Sequence, residues 1–161
     1  QRQMCIRDRH LAMIELYSND AKRIQHFCKV HSYAKLIAET ENVDKKCLFI
    51  IETSALTHDI GIHVCEEKYG NCNGKLQEKE GPAIAKKLLE KLGFDKDVSD
   101  RVQYLIAHHH TYDNIDGIDY QILVEADFLV NNGCIYAQGF YYYRPMPIED
   151  FVLLLEKSGK E

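Results

Sequence analysis

Apolar residues recur at steps of three and four along most of this chain, the spacing of helices with one buried face. In residues 19–41, NDAKRIQHFCKVHSYAKLIAETE, the residues Ile24, Phe27, Val30, Ala34 and Ile37 form one stripe, with Asn19 or Asp20 placed to cap its start. Residues 45–60, KKCLFIIETSALTHDI, are apolar nearly all round, which predicts a helix at the centre of a bundle, stopped by Gly61. The polar stretch 66–81, EEKYGNCNGKLQEKEG, reads as a loop because of its glycines and asparagines. A helix follows over 81–94, opened by Pro82 and closed by Gly93. Residues 95–110 give another, with Val98, Val102, Leu105 and Ile106 on one face, and residues 119–131, DYQILVEADFLVN, give the last of the series. Nothing alternates with period two for long enough to build a sheet. The pattern predicts an all-α bundle of about five core helices, with a short amphipathic helix over 148–156 after Pro147.

Composition narrows what such a bundle does. The chain has 161 residues, 45% hydrophobic and 28% charged, enough for one domain with a real core. A net charge of -5 argues against a nucleic-acid backbone as partner, and no apolar run approaches the length that crosses a bilayer. The six cysteines are scattered, with no CxxC pair, and no secretory signal peptide is seen, so reduced thiols in the cytoplasm are expected.

Both ends differ in character from the middle. MCIRDR, residues 4–9, reads like the translation of a sequencing-library adapter, and residues 1–12 are set aside as a non-native leader without helical period. Residues 13–131 form the domain, and 132–161 are a tail of different composition, dense in tyrosine.

Helical phase turns several polar groups inward. His26 lies beside the first stripe one turn before Val30, and His31 lies on its opposite flank. His109 continues the Val98–Val102–Leu105 face, flanked by His108 and His110. Asp127 shares its face with Leu123 and Val130, where an unpaired carboxylate costs several kcal/mol or loses its charge. Lysines and arginines are scarce on these faces. One divalent cation shared by His26, His58, Asp59, His109 and Asp127 offsets their burial together, since imidazole and carboxylate are ligands for such ions.

With these residues in view, the chain resembles the HD-domain metal-dependent phosphohydrolases over about residues 13–131. RIQHFCKV looks like their first-helix motif and selects His26 over His31; THDIG is the defining doublet, His58–Asp59, and VEADFLV supplies Asp127. LIAHHHTYDNIDGIDY is similar to the double-histidine segment of two-metal relatives, including the HD-GYP phosphodiesterases, but the GYP triplet is absent. Where some relatives carry a further histidine before the third helix, this chain has KEGP, with Glu80 as a candidate substitute, and His63 stands near where many have lysine. The tail, within 134–156, resembles the extreme C-terminus of EAL-type phosphodiesterase domains, without any of that family's catalytic segments.

The resemblance implies a helical HD bundle that hydrolyses a phosphate ester of a nucleotide-like small molecule through metal-activated water. His26, His58, Asp59 and Asp127 hold a first ion, Mn, Fe, Zn, Co or Mg; Asp59 bridges to a second where one binds, and His109 with His108 or His110 holds it or donates to phosphate oxygens. Asp59, His58 and His109 are the expected catalytic residues. Lys75 and Lys79 are candidates for recruiting phosphate, with a solvated surface role favoured. The expected partner is a small phosphate ester or nucleotide, with no nucleic acid and no membrane, and a homo-oligomer left open. The rival readings are a di-iron HD-type oxygenase and a non-catalytic regulatory HD module.

Overall fold

Three of the helices begin where a short polar side chain covers free amides of the first turn, which isolated helix ends leave without partners. Asp20 accepts from Arg23 N at the start of Ala21–Thr40, Asp44 from Lys46 N and Cys47 N before Lys45–Thr57, and Asn73 from Leu76 N before Gly74–Lys91. The structure, a computed structural model, describes residues 6–132. In chain order the helices are α1 (Ile6–Leu16), α2 (Ala21–Thr40), α3 (Lys45–Thr57), α4 (Ile62–Tyr69), α5 (Gly74–Lys91), α6 (Lys96–Ile106) and α7 (Ile118–Asn131), with no strand among the described residues. The protein is all-α. The helix expected over 148–156 and the EAL-like stretch lie outside the described residues.

The helix that is apolar all round takes the centre. α3 packs against α1, α2, α6 and α7, while α2 also lies along α7 and α5 along α6. Phe27, Val30 and Ala34 of α2 meet Ile51, Ala55 and Leu56 of α3, Val102 and Leu105 of α6 and Leu123 and Ala126 of α7 in one buried core. Among the described residues no helix is long and apolar enough to cross a membrane.

Three expectations are corrected. The stretch 66–81 is largely helical: α4 runs to Tyr69 and ends on Gly70 in the left-handed region (φ 69°), and α5 starts at Gly74. Its polar composition reflects exposure rather than a loop, and Asn73 is a cap, a residue type shared by turns and helix starts. Pro82 therefore sits inside α5 rather than in its first turn. Second, Gly61 does not stop a helix by conformation, its φ being -81°. It is small because α5 passes over it: an added Cβ would lie 3.0 Å from Gly81 N, and one on Gly81 would lie 2.8 Å from Ile106 Cγ2. Third, residues 6–16 of the chain's start are helical although the sequence there shows no helical period. Arg9, buried to 3% exposure, donates to Thr53 Oγ1 (2.7 Å) and the Phe49 carbonyl (3.3 Å) and pairs with Glu52, tying α1 to α3.

Candidate metal centre

Four segments bring imidazoles and carboxylates together at the ends of α3 and α6. His26 comes from the middle of α2, His58 and Asp59 from the turn closing α3, His109 and His110 from the turn after α6, and Asp127 from α7. His26 Nε2 lies 3.1 Å from His58 Nε2, 3.4 Å from Asp59 Oδ2 and 3.2 Å from Asp127 Oδ1. His58 Nε2 is 3.5 Å from an oxygen of each aspartate. His109 Nε2 is 3.7 Å from Asp59 Oδ1. Two groups result with ligand spacing, His26–His58–Asp59 and Asp59–His109–His110, each with its ligand atoms within 4.8 Å of one another and both sharing Asp59.

Main-chain carbonyls aim the buried imidazoles. A carbonyl only accepts, so His58 Nδ1 donates to Ala55 O (2.9 Å) and His109 Nδ1 donates to Ile106 O (2.8 Å). Each ring thereby turns Nε2 inward, the arrangement usual for metal-ligating histidine. Asn131, one turn after Asp127, donates to Asp127 Oδ1 at 3.0 Å. Tyr17, buried, donates its hydroxyl to the Asp59 carbonyl at 2.7 Å and holds the doublet from the α1 side.

Among the described residues no lysine or arginine pairs with these carboxylates. The ion pairs of Asp59 and Asp127 are with histidines. Burial opposes charge on His58, but Asp59 and Asp127 push its pKa up to about 9. Burial likewise works against ionised Asp59, yet His58 and His109 hold it down to about 2, and Asp127 is held below the usual carboxylate range by His26 and His58 despite its burial. A divalent cation fits this donor set. His109 Nε2 is buried with no hydrogen-bond partner, a lone pair facing a carboxylate, and a shared cation satisfies both.

The structure thus brings together His26, His58, Asp59, His109 and Asp127. His108 is the exception: its Nδ1 donates to the Tyr104 carbonyl (2.7 Å) and its ring lies against Tyr104, so His110 rather than His108 joins His109 beside Asp59. The physical reason is that α6 ends at Ile106 and the turn of 107–110, not helical phase, sets the three directions. His31 lies away on the other flank of α2, against Glu52 and His10. Glu80 is no substitute ligand, because Lys68 (2.6 Å) and Tyr69 (2.8 Å) hold its carboxylate on the surface. Lys75 is exposed and pairs with Glu78 and Thr111, and Lys79 leans on Tyr69. His63 stacks on Tyr17 at 4.2 Å and faces Asp20. Tyr17, Gln77 and Asn131 escape a reading of apolar stripes; Asn131 alone carried a signal, being four residues from an inward aspartate on the same helix.

No curated protein matches the chain. Among solved structures, a predicted HD superfamily hydrolase from an uncultured Thermotogales bacterium is similar at 28% identity and a TM-score of 0.60, over 76% of this chain and 66% of that one. This chain therefore spans just under two thirds of that relative's length. The profile of the HD domain matches residues 23–153, a span that takes in the histidine of α2, the doublet after α3 and the aspartate of α7. The match takes in most of the chain, and the chain belongs to the HD domain family.

Proposed function

We propose that this protein is a metal-dependent phosphohydrolase that cleaves a phosphate ester of a nucleotide-like small molecule. The observation carrying the proposal is the pair of ligand groups that share Asp59. A divalent ion such as Mn, Fe, Zn, Co or Mg held there would supply the Lewis acidity for attack of water on a phosphate ester.

The residues divide the remaining work by position. His26, His58, Asp59 and Asp127 would hold a first ion, and Asp59, which belongs to both ligand groups, would be shared with a second. His58 is fully buried, whereas the side chains of His26 and Asp59 are 20% and 19% exposed, so the ester approaches from their side. Asp59 can accept a hydrogen bond from the attacking water there and orient its lone pair. His109 and His110 complete the second group and place donors or ligands beside the phosphate, where negative charge builds in the transition state. The unpaired thiols of Cys28, Cys47, Cys65 and Cys72 accord with a cytoplasmic setting.

The test is metal analysis of the purified protein, followed by a panel of nucleotides and phosphodiesters with the metal found. Turnover that is lost in His58→Ala is expected. Iron-dependent oxygen uptake with no ester cleavage would shift the reading to a di-iron oxygenase, and a metallated protein with neither activity to a regulatory module.

A further inference from the structure

Of the two histidines in the second ligand group, one is not aimed by the main chain. His58 and His109 each donate Nδ1–H to a carbonyl of the preceding turn and face the site with Nε2. His110 differs. Its Nε2 lies 3.0 Å from Gln77 Oε1, an oxygen that only accepts, so Nε2 carries the proton and Nδ1 is left with the lone pair. The ring is oriented by a side chain of α5, not by its own turn.

The first turns of α5 are shaped around this residue at three points. Gly74 makes room for the ring: a Cβ there would lie 2.8 Å from His110 Cγ and Cδ2. Gln77 takes the ring proton. Glu78 accepts from the His110 backbone N–H (3.1 Å) and from Thr111 Oγ1 (2.8 Å), and Lys75 fixes Glu78 from the far side at 2.9 Å. Four residues after Gln77 comes Gly81, where an added Cβ would lie 2.8 Å from Ile106 Cγ2. At this level α5 therefore approaches the site through Gln77.

We propose that Gln77 is the positioning residue that makes His110 a ligand, holding it in the Nε2–H form and leaving Nδ1 as its lone pair for the Asp59–His109 group. This rests on the two-ion reading above. It assigns the second ion's affinity to an amide outside the set of ligands. Orienting partners of this kind change metal affinity about 10- to 100-fold when removed.

The experiment is manganese titration of the full-length, metal-stripped protein, read as bound ions per chain and as the spin-coupled resonance of paired ions. Wild type is expected to bind about two ions per chain. Gln77→Met keeps the length but has no acceptor; it is expected to keep the first ion, bind the second at least about tenfold more weakly and lose the coupled signal. Gln77→Glu retains an acceptor oxygen and is expected to restore the second ion. Gln77 is only half-buried, so the metal-free melting temperature of Gln77→Met should match wild type. Gln77→Asn, one carbon short, provides the same loss should methionine repack the turn. A second ion bound by Gln77→Met and Gln77→Asn as tightly as by wild type overturns the proposal while leaving the two-ion reading intact. A wild type that binds one ion overturns both.

Discussion

At the scale of single residues, the doublet aspartate is held by its backbone as well as its carboxylate. Tyr17 is 1% exposed, and its hydroxyl is the donor to the Asp59 carbonyl; burial, with the Asp59 charge adding to it, raises the phenol beyond its ordinary range, so it stays protonated and donating. Tyr17→Phe removes the donor without emptying the core. A buried carbonyl left without a partner costs about 1–3 kcal/mol. Denaturant unfolding of the metal-free variant should show a loss in that range, and metal titration a weaker first ion, because the turn presenting Asp59 becomes less fixed. A loss of stability with unchanged metal affinity would confine Tyr17 to packing. Residue chemistry was also the most legible part of the sequence. His26 and Asp127 could be aimed from apolar neighbours because both lie inside helices, α2 and α7, whose stripes continue on either side. His109 was placed inward for a reason that does not hold, since it follows the helix; the Nδ1 bond to Ile106 O keeps it there.

At the scale of elements, what could not be read from the sequence is contact between segments that carry no stripe. α4 and the first half of α5 are polar because they lie on the surface, so periodicity gave no helical signal, and the clamp of Gly74, Gln77 and Glu78 on His110 was invisible with them. α1 is the same case. Beside Met13, which is buried in the core, its hold on α3 runs through a polar group, Arg9 on Glu52, which His31 also faces. Glu52 is held below its ordinary pKa of 4.5, chiefly by the His31 imidazole 3.3 Å away, with burial opposing and Arg9 adding. A carboxyl whose folded pKa is depressed contributes stability that is fully present above the unfolded value and is lost as the pH falls through the folded one. Glu52→Gln should therefore melt lower than wild type by a constant margin near pH 7, and the margin should shrink once the pH passes below 4.5. Melting curves between pH 7 and pH 3 check this. A margin independent of pH would mean that Glu52 acts by shape alone.

At the scale of the whole molecule, the centre is also a clasp. Its ligands come from α2, the turn after α3, the turn after α6 and α7, and three of those pieces pack on α3 or continue it. Nothing that opens the bundle can leave the ligand set intact, so an ion binds the folded chain and not the unfolded one. Linkage then fixes the size of the effect: at a free metal concentration 100 times the dissociation constant the folded state gains about 2.7 kcal/mol. For a chain of this length that corresponds to roughly 5–10 °C in melting temperature. Stripping the protein with a chelator should lower the midpoint by that amount in one cooperative transition, and restoring the metal should raise it again. His58 makes the size of the effect depend on pH in a defined way. Its proton, held up to about 9 by the neighbouring carboxylates, sits where the ion must bind, so metal binding releases it. The metal-induced rise should grow between pH 6 and pH 9 and should vanish in Asp127→Asn, which gives up one of the two charges that the ion answers. Calorimetry of the wild type and this variant, with and without metal, measures both. A wild-type midpoint indifferent to metal at every pH would mean that the four segments are clasped by their own ion pairs, and that the cation adds chemistry without adding stability.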